Sequence, residues 1–328
     1  MHILQELKSR AAKIGGSIVL PEVSDIRTLE AAARITREKI ARVILLGNRD
    51  TIFSQSKELN LDLGECQVVD PQTSEDFPAF AKALYEKRKE KGMSEADAEI
   101  TMQNPLYFGA MMVLMGKASG MVAGAANTTA DVLRAALHVV GVTPGLKTVS
   151  STFIMVSPRS EDPCYLFADC AVVPNPTAEQ LADIACSTAQ TRRAILGDEA
   201  KVALLSFSTK GSAEHELVEK VREAKAILDS RGVDFAYDGE LQVDAAIVEK
   251  IARSKAPDSP VAGNANTLIF PDLQAGNIGY KLVQRLGGFE AIGPIIQGLA
   301  APICDLSRGC STEDIVNTAI LVLLMSKK

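Results

Sequence analysis

Short runs of β-branched and aliphatic residues alternate along the chain with longer segments whose apolar positions recur at helical spacing. Residues 17–20 precede a helical run at 26–38, and another short apolar run follows at 42–46. Farther on, 202–207 leads into 213–231, and 267–270 leads into 273–286. Strand-then-helix alternation of this kind predicts a parallel sheet covered by helices. Two strand ends run into small polar turns, at 206–211 and 263–266, and open α/β sheets bind ligands beyond such carboxyl ends. Residues 155–163 break the alternation as a hairpin loop between two β-rich runs, 148–156 and 164–167.

A chain of 328 residues, 47% of them hydrophobic, is long enough to divide its core between two domains. The change of pattern near Pro144 marks the start of the second. No repeat, low-complexity tract or long linker separates the two, which predicts packed lobes with a cleft between them. The expected division is 1–145 plus 295–328 for a discontinuous first domain and 146–294 for an inserted second one. This division keeps the segment at 305–314 in one domain with residues 88–134.

Charge and composition mainly exclude. A formal net charge of −6 and no Lys/Arg-dense stripe with interleaved aromatics argue against nucleic acid and against anionic membranes. The apolar stretch at 319–325 is far shorter than the roughly 20 residues a bilayer requires. Residues 1–16 read as a charged amphipathic helix without the apolar core of a secretory signal, so a cytoplasmic protein is expected and the sequon at Asn127 carries no meaning. Six cysteines lie scattered with no C-x-x-C pair and no histidine at ligand spacing, which predicts reduced thiols and no metal site. His138 is read as a packed residue of an apolar helix and His215 as part of a charged helix face.

The densest chemistry lies near the end of the chain. Asp305-Leu306-Ser307-Arg308-Gly309-Cys310-Ser311 runs into Thr312-Glu313-Asp314 and then an apolar segment that has to be a helix. Ser311 with Asp314 three residues later fits a capping box, and on local pattern alone Asp314 serves equally well as a cap. A hydroxyl, an arginine fork, a glycine and a helix N-terminus within eight residues nevertheless form a compact anion-holding set. Arg308 can grip two phosphate oxygens in parallel, and Ser307 can donate to a carbonyl oxygen as charge develops on it.

With these residues in view, the whole chain resembles the phosphate acetyltransferases. The resemblance rests on GPIIQGLA at 293–300, DLSRGCS at 305–311, FADCAV at 167–172, PNPTAEQLA at 174–182, STKGSA at 208–213, DGELQVDAA at 238–246 and FPDLQAGNIGYKLVQRL at 270–286. It implies an α/β fold of the two-domain isocitrate/isopropylmalate dehydrogenase-like kind, with parallel-rich sheets, an interdomain cleft and a homodimer. It implies reversible transfer of an acetyl group between CoA and phosphate, with CoA, acetyl-CoA, phosphate and acetyl phosphate as substrates and no bound cofactor. It also implies Ser307, Arg308 and Asp314 as the chemical centre, Arg88, Arg134 and Arg285 lining the cleft, and Thr129, Ser151, Tyr280 and Lys281 as phosphate neighbours. Arg88 lies in a basic helix, where a solvated face is the plain alternative. Ala301 and Cys304 stand where the family pattern usually has Lys and Asn, and Val23-Ser24 departs from the commoner pair after Pro21-Glu22.

The expected mechanism is direct transfer in a ternary complex, with Asp314 taking the thiol proton. A free thiol near pKa 8.5 and a free aspartate near 3.9 differ by about 4.6 units, so either cleft closure desolvates Asp314 or Asp314 mainly orients the thiol. Cys310, between an arginine and a helix start, is the alternative covalent nucleophile. Phosphate butyryltransferase activity is the runner-up within the class, and a non-catalytic module sensing CoA or acetyl phosphate is the reading from another class. The G-x-S-x-G elbow, the P-loop spacing and the dinucleotide fingerprint are all missing.

Overall fold

A computed structural model describes residues 2–159 and 164–326. The expected hairpin loop is seen up to residue 159, and its positions 160–163 lie outside the described residues. The chain begins with α1 (His2–Ile14), β1 (Ser17–Leu20), α2 (Ile26–Arg37), β2 (Arg42–Leu46), α3 (Arg49–Glu58), β3 (Gln67–Val69), α4 (Phe77–Arg88), α5 (Glu95–Met102), α6 (Pro105–Leu114), β4 (Gly120–Ala123) and α7 (Thr129–Val139). It continues with β5 (Ser150–Val156), β6 (Tyr165–Ala168), α8 (Ala178–Ile195), β7 (Lys201–Leu205), α9 (Glu216–Arg231), β8 (Ala236–Leu241), α10 (Val243–Ile247), α11 (Glu249–Lys255), β9 (Thr267–Ile269), α12 (Leu273–Gly287) and β10 (Glu290–Gln297). It closes with β11 (Ile303–Asp305) and α13 (Thr312–Met325). Contacts divide it into two compact units: the chain up to Thr143 together with everything from Leu299 onward, and Pro144–Gly298.

The first unit holds a five-stranded sheet in the order β11-β4-β1-β2-β3, with every pairing parallel. β1, β4 and β11 are buried along their whole length, as befits strands of a parallel sheet covered on both faces. Side chains alternate across the sheet, so Val19, Ile44, Met121 and Ile303 share one face with Phe80, Phe108 and Met111. The Phe80 and Phe108 rings lie 5.0 Å apart in that core. α13 packs on β4 at Gly120, where an added Cβ would come within 2.2 Å of Val322. Only a glycine permits an approach that close. That contact anchors the last helix to the sheet and thereby places its first turn just beyond the carboxyl ends of β11 and β4.

The second unit is a six-stranded sheet in the order β10-β5-β6-β9-β7-β8. β10, β5 and β6 pair antiparallel, while β6, β9, β7 and β8 run parallel. One apolar cluster joins Leu181, Ile184 and Leu204 to Leu228 of α9, and another gathers Phe153, Phe167, Leu241 and Leu268. The motifs at 208–213 and 238–246 build a buried polar knot here. Glu240 accepts from the Ser208 hydroxyl at 2.9 Å and the Gly211 amide at 2.9 Å, and pairs with Arg222 at 3.1 Å. Burial pushes its carboxyl up, but Arg222 and these donors more than offset that and hold it at about 2.

Candidate active site

Three strand ends of the first unit meet around one carboxylate. Glu22, directly after β1 and only 5% exposed, accepts hydrogen bonds from the amides of Gly124 (2.8 Å), Ala125 (2.8 Å), Ala126 (3.2 Å) and Asn127 (2.8 Å). The Asn127 side chain adds a fifth donor at 2.7 Å. Without that acceptor the loop after β4 would leave several buried amides unpaired, each costing about 1–3 kcal/mol. Gly124 (φ +108) touches the neighbouring strand end so closely that a Cβ would lie 2.4 Å from Asp305 Oδ1 and from the Leu306 carbonyl oxygen.

Beyond β11 the chain turns at residues 307–310, with the Cys310 amide donating to the Ser307 carbonyl at 2.8 Å. The Gly309 amide donates to Ser307 Oγ at 3.2 Å, which leaves the hydroxyl hydrogen of Ser307 free to donate outward. Ser311 caps α13, and the capping box is complete: Asp314 Oδ2 accepts from the Ser311 amide and hydroxyl, both at 2.8 Å, while the Asp314 amide donates back to Ser311 Oγ at 3.2 Å. Asp314 is therefore a cap, and its Oδ1 remains available. Ser307, Arg308 and Asp314 are all exposed, gathered at one helix N-terminus with its unpaired first-turn amides. Cys310 is buried. Burial pushes its thiol up; the Arg27 guanidinium opposes this, and Asp314, Asp25 and Glu22 reinforce it. A raised, buried thiol is a poor nucleophile, so the helix-start argument for a Cys310 thiolate fails against its surroundings.

The other residues of the first unit fall into two places. Thr129 opens α7 and its hydroxyl donates to Asp305 Oδ2 at 2.6 Å, which ties α7 to the end of β11. Arg88 ends α4 and Arg134 lies on α7, and both guanidinium charges bear on Tyr107 and on His138. Tyr107 Oη and His138 Nδ1 are 3.2 Å apart; burial lowers the His138 imidazole, and Arg88 and Arg134 lower it further. Arg134 pairs with Asp131 at 2.7 Å, whereas Arg88 Nε is buried without a partner. His138 is half-buried on α7, and His215 proves to be the N-cap of α9, accepting from the Leu217 amide.

In the second unit, Tyr280, Lys281 and Arg285 lie together on α12. The Tyr280 ring stacks on Phe153 with centroids 4.2 Å apart, and Lys281 Nζ sits 5.7 Å from the Tyr280 centroid. Burial raises the Tyr280 phenol, and the Arg285 charge acts in the opposite sense. Ser151 is fully buried, and its hydroxyl donates to Asp169 at 2.5 Å. Asp169 also collects the amides of Ala171, Val172 and Val173, so Ser151 serves a buried turn.

Sequence reasoning passed over Glu22 and Arg27, and it gave Asp305 no role of its own within the segment at 305–314. Glu22 and Asp305 each sit at the carboxyl end of a strand, a position signal that was available, but their burial and partners come from neighbouring strands far away in sequence. Asp305 is 3% exposed, with Oδ1 unpartnered, and burial pushes its carboxyl up to about 6; Thr129 holds it down and the Glu22 charge adds to the rise. Among the described residues no group of three or more His, Cys, Asp and Glu could hold a metal, and no helix is long and apolar enough to cross a membrane.

A parallel sheet whose carboxyl ends present a hydroxyl, a guanidinium and a helix N-terminus is the arrangement of an α/β enzyme that handles an anionic substrate. The chain belongs to the phosphate acetyl/butaryl transferase family, whose pattern matches residues 2–323. It is 53% identical over 320 residues to a phosphate acetyltransferase of Thermoanaerobacterium thermosaccharolyticum, covering 97% of each chain. Among solved structures it is similar to a phosphotransacetylase from Streptococcus pyogenes (44% identity, TM-score 0.93) and to the EutD phosphotransacetylase from Staphylococcus aureus (40% identity, TM-score 0.91). Each comparison covers 99% of this chain and 98% of the other. These likenesses correct the expected isocitrate/isopropylmalate dehydrogenase-like fold: the fold is of the phosphotransacetylase type. Strand-helix alternation specifies layers, whereas strand order depends on distant pairings, such as β11 beside β4, that no local pattern encodes.

Proposed function

We propose that this chain catalyses the reversible transfer of an acetyl group between CoA and inorganic phosphate. The observation that carries the reading is the 53% identity, over 97% of both chains, to a phosphate acetyltransferase. The corner at residues 307–314 supplies matching chemistry. Acetyl phosphate lies with its phosphate against Arg308 and its carbonyl oxygen toward the Ser307 hydroxyl and the first-turn amides of α13. Asp314 Oδ1 receives the thiol proton of CoA or orients the thiol. The sulfur attacks the carbonyl carbon, a C–S bond forms, the tetrahedral state collapses, and the C–O bond breaks with its electron pair leaving on phosphate. No enzyme acyl intermediate is needed, which agrees with the raised Cys310 thiol.

In this reading Arg88 and Arg134, with Thr129, on the first unit and Arg285, with Tyr280 and Lys281, on the second bind anionic parts of CoA and phosphate. Ser151 keeps a supporting place through Asp169. The two compact units act as the domains of the enzyme. A cytoplasmic homodimer completes the proposal; Ile278, Leu282 and Leu286, spaced one turn apart on α12 and more than half exposed, give a second copy an apolar face to cover.

The test is CoA release from acetyl-CoA plus phosphate by Ser307→Ala, Arg308→Ala and Asp314→Ala. Each is expected to lose about 100-fold or more in turnover. Near-wild-type turnover in all three would overturn the assignment, and stable acylation of Cys310 by acetyl phosphate without CoA would overturn direct transfer. A series of acyl-CoA chain lengths separates acetyl from butyryl preference.

A further inference from the structure

Arg27, in the first turn of α2, spends its entire donor set on the strand-end loops. Nε and Nη2 donate to the two carboxylate oxygens of Asp25, at 2.9 and 2.6 Å. Nη2 also reaches the Ala125 carbonyl at 2.9 Å, and Nη1 reaches the carbonyls of Arg308 at 2.9 Å and Cys310 at 2.6 Å. A longer contact runs from Nη1 to Cys310 Sγ at 3.8 Å. Five N–H groups thus meet five oxygens, two on a carboxylate beside the helix start and three on backbone carbonyls of the loops after β4 and β11. A lysine has three donors radiating from one point and cannot reproduce this fork.

The peptide units that Arg27 grips are informative. The peptide joining Arg308 to Gly309 is held by its carbonyl on Arg27, and its N–H is the group that donates to Ser307 Oγ. The peptide joining Cys310 to Ser311 is likewise held by its carbonyl, and its N–H donates to Asp314 Oδ2. A peptide unit is planar, so fixing the direction of the carbonyl fixes the direction of the opposite N–H. Arg27 accordingly sets the aim of the two amides that orient the reactive hydroxyl and the reactive carboxylate, although its own side chain points to neither.

We propose that Arg27 is a positioning residue for acyl transfer: by holding the 308–309 and 310–311 peptides, it aligns Ser307 and Asp314 for reaction. This rests on the acyl-transfer reading of the same corner. Misplacement of reacting groups by about 1 Å can cost about 100-fold in rate while leaving binding at remote points intact. Residues such as Arg88 and Arg134 would still hold CoA, so the loss falls on kcat and not on KM.

The experiment measures kcat and KM for CoA and acetyl phosphate in the full chain carrying Arg27→Ala or Arg27→Lys, with the melting temperature and the fraction folded measured on the same samples. Arg27→Ala is expected to lower kcat per folded molecule by about 100-fold. KM for CoA should stay within about threefold, and Arg27→Lys should fall between Arg27→Ala and wild type. Guanidinium ion at low millimolar concentration, far below denaturing levels, should recover part of the kcat of Arg27→Ala and none of that of Ser307→Ala. A kcat for Arg27→Ala within about threefold of wild type overturns the proposal. So does a fall in kcat that guanidinium leaves untouched, or one matched by an equal rise in the KM for CoA, as a merely structural role would produce. A wild-type chain without acetyl exchange would instead remove the acyl-transfer reading and this proposal with it, whereas an active wild type with an indifferent Arg27→Ala removes the proposal alone.

Discussion

Replacing Asp305 by Asn separates the cost of a buried charge from the contacts of the side chain that carries it. Asp305 Oδ2 accepts from Thr129 Oγ1, Oδ1 is unpartnered, and the carboxyl feels the charge of Glu22. Its carboxyl is pushed from the ordinary 3.8 up to about 6, first by burial. The folded state therefore holds a proton on Asp305 in a pH range where the unfolded chain has released it. Linkage sets the sign: stability falls as pH rises from about 4 to about 6, and the full penalty, about 3 kcal/mol, is present above that range. Asparagine keeps an acceptor for Thr129 and carries no charge at any pH. The stability of Asp305→Asn relative to wild type should thus be higher at pH 7.5 than at pH 4.5, by about 2 kcal/mol. Urea denaturation of both proteins at the two pH values measures that difference, and titrations common to both cancel in it. A difference between the proteins that stays constant across this range to within about 0.5 kcal/mol would refute the placement of a strained charge at Asp305.

Two other perturbations test the same strand-end assembly. Glu22→Gln replaces an acceptor for five donors with a group having one acceptor oxygen, and should cost about 3 kcal/mol or more in thermal denaturation. Gly124→Ala forces a methyl group against Asp305 and Leu306 and should cost about 3 kcal/mol, whereas Gly116→Ala, at φ +70 with open space around it, should cost about 1 kcal/mol. Equal melting temperatures for the two glycine variants would contradict the close approach.

The local pattern determined much of this protein. Continuous apolar runs located β1, β2 and β9 almost to the residue, because strands buried on both faces admit no polar alternation. Ser311 and Asp314 announced a capping box, and the box formed, because a cap is an interaction within a single turn. The cluster of Ser307, Arg308 and Asp314 was legible for the same reason: its members are close in sequence and share one helix start. Tertiary structure decided what lies across strands. Whether Cys310 is a thiolate depended on burial and, besides the nearby Asp314, on Asp25 and Glu22 brought from far away in sequence, and Ser151 turned out to be committed to Asp169 just past the next strand. Arg27 and Arg308 are 281 residues apart, and no spacing rule links them. They meet because β1, β4 and β11 pair in parallel, which brings their following loops to one edge of the sheet, and pairing between distant segments is set by the whole fold and not by any one of them.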